Sequence, residues 1–134
     1  MLMVSSYAKD YVDTCRANVV AQLASYRKVL TAMPVEIEVF ERQFFNHMVL
    51  ALDRYFVHRG RNMEGKDGNP LNEMRMLCDA IMENKGRMSA NKTIRYNPET
   101  SILKLKAGEE IRLNADDFAR LAAAFFDEIE RRYP

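Results

Sequence analysis

The residues of this chain best suited to chemistry gather between positions 36 and 70. His47 and His58 are its two histidines. They are eleven residues apart, close to three helical turns. On one helix they would project to the same side, with Arg54 between them and Glu36 and Gln43 below. An imidazole beside a guanidinium can act as acid, base or anion contact near neutral pH. The plainer reading, and the one the sequence favours, is a polar flank on an apolar helix. At 1.5 Å per residue the two imidazoles stand roughly 16 Å apart, too far to share an ion. No Cys-x-x-Cys or His-Glu-x-x-His spacing occurs, so neither a metal nor any other cofactor is expected.

A polar stretch follows, His58-Arg59-Gly60-Arg61-Asn62-Met63-Glu64-Gly65-Lys66-Asp67-Gly68-Asn69. Arg59, Arg61 and Lys66 lie among glycines that let backbone amides approach a ligand. The stretch also leads into a helix start at Asn69-Pro70, where partial positive charge collects. Arg54, His58, Arg59, Arg61 and Lys66 are therefore the candidate contacts for a small phosphate or carboxylate. Glu64 and Asp67 offset two of the cations, and the spacing is not that of a nucleotide-binding loop. A solvated connector is the competing expectation. No serine elbow and no cysteine–histidine neighbour marks a nucleophile, so no catalytic residue is assigned.

Helices must position these groups. Val4, Tyr7, Ala8, Tyr11, Val12, Cys15, Val19, Leu23, Tyr26 and Leu30 recur at three- and four-residue steps, predicting a helix over about 4–30. A second helix, about 35–57, carries Ile37, Phe40, Phe44, Met48, Leu52 and Tyr55 as its main stripe, widened by Phe45, Val49 and Phe56. Val39, Leu50 and Val57 fall on its other side, and a helix apolar nearly all round is covered on several sides. In a chain of 134 residues another subunit could supply that cover, so a homodimer is expected.

Asn69-Pro70 opens a third helix with Leu71, Met74, Leu77, Cys78, Ile81 and Met82, ending near Lys85-Gly86. Between Thr93 and Leu113 the period changes to partial alternation broken by Asn97-Pro98 and Ala107-Gly108, which predicts two or three short antiparallel strands. Asn114, with Asp117 three residues on, caps a last helix burying Phe118, Leu121, Ala122, Phe125 and Ile129. The expected fold is mostly α with a minor α+β part. It is one four-helix bundle-like domain over 1–134, with a small antiparallel β-meander before the last helix.

The totals exclude several classes. Apolar residues are 48% and charged residues 29%, and the net charge is +1. That balance lacks the basic excess of a nucleic-acid binder, so nucleic acid is not an expected partner. No apolar run reaches a membrane span of about 20 residues, and the first residues do not form a signal peptide. A cytoplasmic protein is expected. Cys15 and Cys78, both on apolar stripes, then read as buried free thiols in a reducing compartment, with a disulfide between them the alternative.

Phe44 to Arg59, Gly65 to Glu73 and Phe118 to Pro134 resemble a group of small bacterial proteins of unknown activity. The resemblance implies a bacterial cytoplasmic single-domain protein and no particular chemistry. Arg42-Gln43-Phe44-Phe45-Asn46-His47 also resembles, in its Arg-to-His spacing, the helical-bundle ribonucleases called HEPN. Asp53 to His58 has aspartate where their arginine stands, and a β-meander is no part of that bundle. The leading functional expectation is a self-associating, non-enzymatic helical protein that binds a small anion. The alternative is a metal-independent ribonuclease or other acid–base enzyme using His47 or His58 with Arg54.

Overall fold

Helices form where the apolar spacing predicts them: α1 (Lys9–Ala32), α2 (Glu38–Arg54), α3 (Pro70–Glu83) and α4 (Ala115–Arg132). A computed structural model describes residues 4, 6–32, 38–57, 69–90 and 94–134. No helix among these is long and apolar enough to cross a membrane.

Each helix is held by its own local logic. α1 buries Val12, Cys15, Val19, Leu23 and Tyr26, a narrow stripe at three- and four-residue steps, and leaves the rest of its girth exposed or half-buried. It lies on α4 and α2. Arg16 bonds Glu130 at 2.7 Å and stands over the Phe126 ring, 4.7 Å from its centre, while Arg27 meets Asp116 at 3.2 Å. α3 packs against both α2 and α4, which in turn each meet all three other helices. Its Leu71, Met74 and Leu77 are wholly buried, so its three- and four-residue steps serve two neighbours rather than one.

The caps stop and start these helices as their residue types require. The Asn69 side chain accepts the Asn72 N–H at 3.0 Å, with Pro70 in the first turn. At the far end of α3 the chain turns through Lys85 and Gly86, both at positive φ, and the Gly86 N–H returns to the Ala80 carbonyl at 2.9 Å. Asn114 accepts the Asp117 N–H at 2.7 Å, and the Asp117 carboxylate accepts the Asn114 N–H in return. Asn114→Ala removes the side-chain half of this box, leaving the Asp117 N–H without its cap, and should lower stability by about 1 kcal/mol. A urea unfolding midpoint unchanged from the parent would refute that.

The expected β-meander is not there. Among the described residues there are no strands, and one isolated antiparallel bridge joins Arg87 to Glu110. Its bonds run from Met88 to Glu109, from Gly108 to Met88 and from Ile111 to Gly86. The residues around Ile111 therefore find their partner just after α3, not in the alternating stretch before them. Two causes are visible. Lys104 takes a left-handed conformation at φ 56, which breaks the extended run through 101–106.

The backbone of the segment is also satisfied by side chains instead of a ladder. Buried Glu73 accepts the N–H groups of Ile102 and Leu103 at 2.8 and 2.9 Å. Asn72 donates to the Arg95 carbonyl at 3.0 Å, and the Tyr96 hydroxyl to the Leu105 carbonyl at 2.6 Å. Residues 94–113 thus cover α3 and α4 as an irregular segment pinned mainly from the first turn of α3. Burial is the main influence on the Glu73 carboxyl and pushes its pKa up, against the pull of those two amides and of Arg120.

The core that results is rich in rings. Phe56 meets Tyr7, Tyr11, Phe125 and Phe126 with centroids 4.9–6.1 Å apart. Phe45 sits edge-on to Tyr26 and Phe118, so one aromatic cluster wedges the middle of α2 and another lies just past its C-terminal end.

Candidate functional site

The structure sets α2 in a different rotation from the one its main stripe predicts. The buried residues are Phe45, Met48, Val49 and Leu52, with Phe56 just beyond the helix, whereas Phe40 is 55% exposed and Phe44 half-buried. The residues read as widening the stripe are its centre. At 100° per residue, Gln43, His47 and Arg54 then fall opposite the core, and all three are exposed. The polar stripe is the solvent face of α2. Among the described residues, none walls in His47 or Arg54 as the lining of a pocket.

His58, Arg59, Arg61 and Lys66, with Glu36, lie outside the described residues. Of the candidate anion contacts, Arg54 alone is seen. The Arg42–His47 spacing does not bring those side chains together either, because five residues turn a helix through about 140°. Arg42 bonds Glu110 at 2.8 Å on one flank, while His47 faces solvent.

Glu110 is the hub of a cluster that sequence reasoning missed. Arg42, Arg112 and Arg87 approach its carboxylate at 2.8, 3.1 and 3.7 Å. The hydrogen bond from Arg112 and the charges of Arg42 and Arg87 hold its pKa below the usual carboxylate range, against some desolvation. Beside it a groove of about 260 Å³ is lined by Glu38, Glu41, Arg42, Arg112, Leu113 and Asn114. Glu38 and Glu41 balance the arginines, so the groove carries no net positive charge to concentrate an anion. Its members come from α2, from the bend after α3 and from the approach to α4. No local spacing announces such a set.

The other notable surface is apolar. Between α1 and α2 a groove of about 290 Å³ is lined by Ala21, Gln22, Ser25, Tyr26, Val29, Phe40 and Phe44. Its floor is fixed: the Tyr26 and Phe44 rings stack at 5.1 Å, and the Tyr26 hydroxyl donates to the Glu41 carboxylate. Burial, reinforced by Glu41, pushes the Tyr26 phenol far above its ordinary pKa, so it stays a neutral donor. Its rim is open, with Phe40 stacked on Phe44 at 6.1 Å and otherwise facing water, and Val29 46% exposed. Leu50 and Val57, expected to need outside cover, are already half-buried.

Neither cysteine forms a disulfide; Cys15 is buried and Cys78 half-buried. Burial raises the Cys15 pKa, partly offset by its bond to Tyr11, which makes it a packing residue rather than a nucleophile. Among the described residues no group of three or more His, Cys, Asp or Glu side chains is placed to hold a metal ion. No protein-family model, curated protein or solved structure matches the chain.

Proposed function

We propose that this chain is a non-enzymatic helical protein that works by self-association, with the groove between α1 and α2 as its docking surface. The observation that carries the reading is Phe40. A large ring more than half exposed, beside exposed Val29 on an apolar groove, is the kind of surface a partner covers. The acid–base alternative has less behind it, since His47 is exposed and Arg42 is committed to Glu110. A small anion as ligand rests on Arg54 alone among the described residues, a side chain on the exposed face of α2.

Light scattering at tens of micromolar tests the proposal. The parent chain should show at least a dimer mass, and Phe40→Glu should return it to a monomer. Its melting temperature should fall only by what the lost dimer linkage contributes at that concentration, because surface substitutions in themselves usually stay within about 0.5 kcal/mol. A monomeric parent would overturn the reading.

A further inference from the structure

The outer face of α1 carries a charge pattern that matches itself when a second copy is laid against it head to tail. Asp10 and Lys28 are separated by 28 − 10 = 18 residues, five turns at 3.6 residues each, so they lie on one line along the helix. Both are exposed, and neither side chain has an ion pair among the described residues, whereas Asp13 is held by Lys9 and Arg27 by Asp116. Between them the same face presents Thr14, Ala17, Ala21 and Ala24, all exposed, and the chain has no charged residue from Ala17 to Tyr26. The small side chains only permit close approach. The two unmatched opposite charges give the face a direction.

Resting on the self-association proposed above, we infer that the occupant of this surface is a second copy of the chain, packed antiparallel along α1. The two-fold axis crosses at the level of Val19, midway between positions 10 and 28. Asp10 then faces the partner's Lys28, Lys28 faces the partner's Asp10, and Ala17 lies across from the partner's Ala21. The alanine centre lets the axes approach to about 8 Å with no charge to desolvate. A parallel pairing would set like charges together at both ends and is disfavoured.

Size decides how much of the surface is needed. α1, 24 residues long, is about 36 Å by 10–12 Å and offers roughly 400 Å², half of the about 800 Å² a stable pair buries on each side. The Phe40 shoulder of the groove must supply the rest, which places it in the same interface.

Charge reversal tests the register. Asp10→Lys and Lys28→Asp, made singly, should each raise the dimer dissociation constant roughly tenfold at low salt, read by sedimentation velocity. The double reversal should restore it to near the parent value. A melting curve for each variant separates this from the loss of Asp10 from the first turn of α1, where a carboxylate is favoured. If Phe40→Glu breaks a parent dimer but the double reversal is no better than the singles, the antiparallel register is wrong while the docking surface stands. If the parent is a monomer, both fall. A dimer whose constant ignores all three charge variants likewise overturns the register.

Discussion

Glu73→Ala should cost about 3 kcal/mol of folding free energy, the larger part of it from two backbone amides left without an acceptor. Glu73 is 2% exposed, and its carboxylate holds the N–H groups of Ile102 and Leu103. A buried donor left unpaired costs about 1–3 kcal/mol. Relief from burying a carboxylate offsets part of the sum. Glu73→Gln keeps one acceptor oxygen and should lose less than half as much.

The pH dependence has a definite sign. Burial raises the folded-state pKa of Glu73 above its unfolded value. Its contribution is therefore fully present below the unfolded pKa and is lost as pH rises through the folded one. Lowering the pH from neutral should strengthen this contribution in the parent, and Glu73→Gln should remove that component of the pH profile. Urea midpoints across the acid range supply the check. A Gln variant that follows the parent profile throughout would refute the assignment.

Phe56→Ala should be the most damaging single change, at about 3–5 kcal/mol. The ring is fully buried just past the end of α2, among Tyr7, Tyr11, Phe125 and Phe126. It therefore ties α2 to α4 and to the chain leading into α1. Removing it leaves a void that three separate elements would have to collapse upon. Against a total of about 5–15 kcal/mol for a domain, such a loss takes the protein to the edge of unfolding at 37 °C. Phe56→Leu should recover most of it, because the side chain stays apolar and of similar volume. A calorimetric melting temperature within a few degrees of the parent for the Ala variant would show that the cluster is slack.

The helices were legible because their signals are local. The stripe of Val12 to Tyr26, the Asn69-Pro70 start and the Asn114–Asp117 box each sit within a few turns, and the structure has all three. The rotation of α2 was not, because Phe40 and Phe44 continue the same period as Met48 and Leu52. Hydropathy alone cannot say which apolar residue a neighbouring helix will reach. The segment 94–113 failed for another reason. Its alternation resembles a strand, yet its backbone bonds are supplied by Asn72, Glu73 and Tyr96 from outside any strand pairing. The Glu110 cluster joins residues 42, 87, 110 and 112 across the fold. The direction of the α1 face is different, since Asp10 and Lys28 could be placed on one line from spacing alone. Only the exposure of that line, with the apolar groove alongside, gives the spacing a use.

Pinning the 94–113 segment by side chains also imposes an order of events. A hairpin carries its own pairing partners and can form while the rest of the chain is still collapsing. This segment's own bonds are mostly local turns, such as Lys104 N–H to Ser101 and Lys106 N–H to Glu109, and they leave Ile102 and Leu103 to α3. The acceptors for Ile102 and Leu103 sit 29 and 30 residues earlier, in the first turn of α3. Until Asn69 and Pro70 have started that helix, Glu73 has no fixed place from which to receive them. The segment is thus a late arrival in assembly, docking onto a helix that must already exist.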